Sequence, residues 1–152
     1  MVFASFILCL VLIDIDTLLL PDELTLPLLW LGLIFNLNGL IAGSLFNAVV
    51  GAIVGYTSLW TVFWAFKLTT KKEGMGYGDF KLLAAILAWI GFAAIIPMLL
   101  IASTMGILYY IIAKLTHKIA HNEPIAFGPA LGISGLVILL GSKYFSFLSL
   151  MV

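Results

Sequence analysis

Cysteine is nearly absent from this chain of 152 residues: Cys9 is the only one, which excludes an internal disulfide and any CxxC metal clamp. Charge is almost as scarce. Only 9% of the residues are charged while 64% are hydrophobic, and the mean hydropathy of +1.25 excludes a soluble domain of this size. The first thirteen residues lack the basic start and small-residue cleavage site of a secretory signal, so they are kept as a helix. No lysine-rich patch exceeds what membrane topology accounts for, so nothing points to nucleic acid as a partner. There is no internal repeat and no low-complexity linker. The pattern around Ser58, Thr61, Ser103 and Thr104 holds no histidine to activate a hydroxyl, so these read as polar groups in helix packing.

What remains is a succession of apolar runs joined by short loops, which predicts an all-α polytopic membrane protein: one transmembrane domain over 1–152, a bundle of about six helices in contact with the lipid bilayer. The first run, residues 1–13, ends at Asp14-Ile15-Asp16 and reaches only about 20 Å, so either Asp14 lies within the membrane or sequence precedes it. The second helix is expected over Leu24 to Phe35, with Asp22 and Glu23 after Pro21 as its caps. Asn36 to Gly39 reads as a turn, and Leu40 to Gly43 could extend the helix. Leu45 to Phe66 is the clearest span, with Gly51 and Gly55 four apart for close packing. Phe80 to Ile96, stopped by Pro97, and Met98 to Ala113 make the fourth and fifth helices. A sixth begins at Gly128 and runs to about Leu140, with Gly128, Gly132 and Gly135 permitting tight contact, and the tail to Val152 stays apolar.

Alternating directions put the loops at 14–23, 67–78 and 114–127 on one side. That side collects Lys67, Lys71, Lys72, Lys81, Lys114 and Lys118 and leaves only Lys143 opposite, so by the positive-inside rule it faces the cytoplasm. Every carboxylate, Asp14, Asp16, Asp22, Glu23, Glu73, Asp79 and Glu123, falls on the same side. An acid at that depth is costly and is by default a functional hypothesis.

Asp79 closes the stretch Gly76-Tyr77-Gly78-Asp79, at the mouth of an apolar helix. Read blandly, it is that helix's N-cap. Read chemically, Asp14 and Asp79 form a pair that shares a proton, one taking a proton from water and the other giving one to a scissile carbonyl. A helix N-terminus favours Asp79 as the starting base, with Asp14 as the protonated partner, although such a pair titrates as a unit. Gly76 and Gly78 leave the loop free to move and let a substrate backbone come close. Asp16 either tunes this site or takes the place of Asp14. His117 and His121 stand four apart without a third ligand, and with Lys114 and Lys118 beside them they read as a basic interfacial turn, so no metal is assigned. The alternative function is an ion channel or proton-coupled transporter with Asp14, Asp16 and Asp79 along its path, although neither paired repeats nor interrupted helices are visible.

Three blocks resemble the type IV prepilin peptidases, membrane aspartyl proteases of the GxGD class. Asp14 to Asp22 is similar to that family's Asp, six residues, Pro and Asp or Asn. Gly74-Met75-Gly76-Tyr77-Gly78-Asp79-Phe80-Lys81-Leu82-Leu83-Ala84-Ala85, followed by Trp89-Ile90-Gly91, is the most specific block, and Pro124 to Pro129 resembles the Pro-Phe-Gly-Pro that opens a late helix. The resemblance implies cleavage of the short basic leader of type IV pilin or type II secretion pseudopilin precursors, in the inner membrane and at the cytoplasmic face, without a cofactor. It places the catalytic pair on Asp14 and Asp79, with Asp16, Gly76, Gly78, Lys81, Asp22 and Pro129 as supporting or substrate-positioning residues. Longer family members carry an extra leading helix and a cytoplasmic insert, often with two CxxC pairs for zinc, which is associated with methylation of the new N-terminus. This sequence shows the peptidase core without them, so methyltransferase activity and a need for S-adenosylmethionine are not expected, and the chain is either a minimal enzyme or part of a longer one.

Overall fold

The computed structural model describes residues 1–40, 44–71, 74–115 and 126–149, with the backbone alone over 142–149. Six α-helices make up these residues: α1 (Val2–Thr17), α2 (Asp22–Leu37), α3 (Leu45–Thr70), α4 (Tyr77–Ile90), α5 (Ile95–Leu115) and α6 (Gly128–Ser149), with a short 3-10 turn, Phe92–Ala94, leading into α5. The chain is an all-α membrane protein. Two segments, Leu45–Thr70 and Phe92–Leu115, are each long and apolar enough to cross a bilayer unaided.

Helix α4 is the axis of the bundle. From Asp79 to Trp89 every residue except Lys81 is buried, and a helix that is apolar all round has to be surrounded by others. Three helices close on it through glycines. Along α3, a Cβ added to Gly51 would meet the Leu87 carbonyl oxygen at 2.8 Å, and one on Gly55 would meet the Ala84 Cα at 3.3 Å. Along α2, Gly32 makes room for Trp89, whose Nε1 donates to the Leu28 carbonyl at 2.8 Å. On α6, Gly135 faces Ile86. Small residues let backbones approach where lipid supplies no hydrophobic drive between helices. The close packing expected of Gly51, Gly55, Gly132 and Gly135 is therefore present, with Gly132 set against Val11 and Ile7 of α1.

The pairings also give directions. Asp22 meets Lys81 at the start of both α2 and α4, and Asn36 meets Ala88 at their ends, so these two helices run parallel. Phe3 stacks on Trp89 with ring centroids 5.3 Å apart, and Phe63 lies 5.1 Å from Tyr77, so α1 and α3 run against α4. Thus the end of α1, the starts of α2, α4 and α6, and the end of α3 gather at one end of the bundle.

Several expected boundaries move. Helix α1 continues past Asp14 to Thr17 and closes with Leu18 in the left-handed conformation (φ 56°), its N–H bonded to the Asp14 carbonyl. Asp22 is the first helical residue of α2 and not its cap; Pro21 holds that position without a side-chain bond, while Asp22 and Glu23 sit in the first turn, where acids suit the helix dipole. Nor is Asp79 an N-cap, since Gly76 occupies that position. Helix α4 stops at Ile90 because Gly91 takes φ 92°, which only glycine adopts readily; Pro97 falls in the first turn of α5, where its missing N–H costs nothing. Helix α3 runs on to Thr70 and α6 to Ser149, while α2 ends at Leu37, short of Leu40; positions 41–43 lie outside the described residues.

At Gly51 the α3–α4 seam is backbone against backbone, which leaves nothing flexible to yield. Gly51→Ala is expected to destabilise the protein by about 1–3 kcal/mol, measured as a lower midpoint of thermal unfolding in detergent, whereas Gly141→Ala, with open space at its Cβ inside α6, should not lower the midpoint and should raise it slightly.

Candidate active site

Two carboxylates are buried at the end of the bundle where these helix termini gather. Asp14 is 4% exposed and Asp79 6%, while Asp16, Asp22 and Glu23 are exposed. The reason lies in the period of α1, where Phe3, Ile7, Leu10 and Asp14 are its buried residues, spaced four, three and four apart as a single stripe. Asp16, two residues on, is turned about 200° away.

Asp14 reaches across to α6, where its Oδ2 accepts the Gly128 N–H at 3.0 Å. That N–H is one of the donors a helix start leaves without an internal partner, so the acid of one helix caps another. Pro129 follows in the first turn of α6, where its fixed φ suits a helix start and no donor is lost. Asp79 stands in the first turn of α4, its carboxylate facing the Gly76 N–H, and the charges of Asp79 and Asp14 lie within electrostatic reach of one another. Two acids from separate helices thus share one buried place, with backbone N–H groups as their neighbours.

Around the pair, Lys81 bonds both oxygens of Asp22, at 2.7 and 2.8 Å, and Leu20 fills the space beside Gly78. Tyr77 is exposed and packs on Phe63 and Phe80. Val62, Phe63, Phe66, Gly74 and Met75 line an apolar groove of about 180 Å³ between α3 and the segment leading into α4. Among the described residues no three His, Cys, Asp or Glu converge to hold a metal. His117, His121, Lys118, Glu123 and Pro124 lie outside the described residues, as do Lys72 and Glu73. Ser58, Thr61 and Thr104 bond to carbonyls one turn back in their own helices, which suits their reading as packing groups.

The comparison with known families gives this pair of buried carboxylic acids, at one end of an apolar bundle, a context. The model of the type IV leader peptidase family matches residues 1–111. The chain belongs to that family. It is 53% identical over 136 residues to the prepilin leader peptidase/N-methyltransferase of Pectobacterium carotovorum, covering 90% of this chain and 48% of the relative. The protein of that name from Pseudomonas aeruginosa is 54% identical over 129 residues, 85% of this chain and 44% of the relative, and that from Neisseria gonorrhoeae is 46% identical over 138 residues, 91% and 46%. The chain spans about half the length of the curated relatives it matches. No solved structure matches it.

Sequence reasoning missed two contacts, one at this site and one at the far end of the bundle. Gly128 was legible only as a packing glycine, yet a Cβ there would stand 2.5 Å from Asp14 Oδ2. Its neighbour Pro129 drew attention instead. Asn36, read as part of a turn, is buried and donates through Nδ2 to the Ala88 carbonyl at 3.0 Å, which the end of α4 would leave without a helical partner. The polar residue among apolar ones was the available signal.

Proposed function

We propose that this chain is the catalytic core of a membrane aspartic endopeptidase that removes the short basic leader of type IV prepilins or type II secretion pseudopilins. The observation that carries the reading is the shared burial of Asp14 and Asp79. Within this reading one carboxylate takes a proton from the attacking water while its partner, as the acid, protonates the scissile carbonyl oxygen, and the roles exchange as the amine leaves. The pair needs no metal, cofactor or nucleophilic side chain. Gly76 and Gly78 keep the approach to Asp79 free of side chains, and Asp22, Lys81 and Pro129 hold the surrounding helix starts. Asp16 lies on the exposed face of α1 and serves as an outlying acid for a cationic leader.

The substrate's chemistry fits the place. A basic leader followed by an apolar helix lies across the membrane boundary with its cleavage point at the level of the pair. The lysine distribution supports a cytoplasmic placement for this end of the bundle. No observation favours an ion path, because Leu82, Leu83, Ile86 and Leu87 pack solidly along α4 beyond Asp79.

The test is to reconstitute the chain in liposomes with a precursor carrying a basic leader and an apolar helix, and to follow leader release on gels. Cleavage is expected, and it should persist in the presence of a metal chelator. Asp16→Asn should keep at least about a third of the rate, since an exposed acid that makes no transition-state contact contributes little to the barrier. Absence of cleavage, or cleavage abolished by the chelator, would sink the reading.

A further inference from the structure

We infer that the Asp22–Lys81 ion pair and the seat of Leu20 on Gly78 form a positioning clamp that holds the first turn of α4, and with it Asp79, against Asp14; this rests on the peptidase reading. The first turn of a helix is its weakest part, because its N–H groups lack internal partners. In α4 that turn carries Asp79, and its own cap position, Gly76, supplies no side-chain bond. Locally, Asp79 is tied only to Gly76, its N–H on the Gly76 carbonyl at 3.2 Å and its carboxylate facing the Gly76 N–H.

Phe63 of α3 packs on Tyr77 and Phe80 from one side of this turn, and the connection between α1 and α2 holds it from another. Leu18 leaves α1 in the left-handed conformation, sparsely populated for a leucine, with its N–H on the carbonyl of Asp14 itself. Two residues later Leu20 lies against Gly78 so closely that a Cβ there would meet the Leu20 Cβ at 2.7 Å. Two residues further, Asp22 receives the Lys81 ammonium on both carboxylate oxygens. One short segment thus departs from the backbone of the first acid and lands on either side of the second. Because Lys81 is turned to Asp22, its charge is answered there, and its role is to fix position.

The experiment uses the whole chain in lipid nanodiscs, with the exposed Cys9 replaced by serine and spin labels on cysteines at the exposed positions Leu12 and Tyr77. Asp22→Asn and Lys81→Met are each expected to broaden the Leu12–Tyr77 distance distribution. In unlabelled protein each should lower kcat for leader release by about 10-fold with KM little changed. The exchanged pair, Asp22→Lys with Lys81→Asp, should recover both properties. An unaltered distance distribution in Asp22→Asn overturns the clamp, whatever the activity. So does a raised KM in Lys81→Met with a harmless Asp22→Asn, since the lysine would then serve the substrate. If the unsubstituted chain releases no leader, the peptidase reading falls, and the distance measurement still decides the clamp.

Discussion

Asp79→Asn and Asp14→Asn should each lower leader release by at least about 10³-fold, and the double variant should be no slower than either single one. General acid–base catalysis by one positioned group contributes about 10²–10⁴-fold, and groups that act as a unit lose nearly everything when either is removed. Asparagine keeps the size of the side chain, and at position 14 its amide oxygen can still accept the Gly128 N–H, so the packing of α1 on α6 survives. Stability should be equal to or above that of the unsubstituted chain, because removing one of two neighbouring buried acids relieves the cost of holding both away from water. Rates from gel densitometry and unfolding midpoints on the same preparations check both halves. Retained cleavage in either variant would remove that residue from the proposed pair, and a collapse in stability would turn the loss into a folding effect.

The second large effect is expected from a single methyl group. Gly128→Ala would place a Cβ 2.5 Å from Oδ2 and 3.0 Å from Cγ of Asp14, inside any real contact, and because the atoms it meets are those of the Asp14 side chain, that side chain has to move. Asp14 would be pushed off its position, and a displacement of about 1 Å in a catalytic group costs on the order of 10²-fold. We expect kcat to fall by that factor with KM nearly constant, and Gly128→Val to fall further. Full activity in Gly128→Ala would mean that the carboxylate works from somewhere other than its place at the α6 terminus.

Much of this architecture could be read from the chain before any coordinates. The six helices, the packing glycines of α3 and α6 and the pair of acids follow from apolar runs, small-residue spacing and motif blocks. The boundaries were less legible. Pro97 looked like a stop, but a proline in a first turn has no donor to lose, and it is the positive φ of Gly91 that ends α4. Asp22 looked like a cap, because an acid after Pro21 has the composition of one; only the tertiary partner Lys81 shows where it points. The choice between Asp14 and Asp16 turns on rotation about α1, and the stripe of Phe3, Ile7 and Leu10 held that information in its spacing. Gly128 was beyond reach because it acts on a different helix through a contact spanning 114 positions of chain, and the polarity of Asn36 gave a signal but not its partner, 52 positions away.

The sheathing of α4 has a bearing on its relation to lipid. With 14 residues it rises about 21 Å, too little for an ordinary bilayer core, and its neighbours spare it from meeting acyl chains. Helix α3 and the segment Phe92–Leu115 have the length to tilt when the surrounding hydrocarbon thickens or thins. The helix that carries Asp79 is thereby cushioned from the composition of the membrane it sits in, as a piston is by its sleeve.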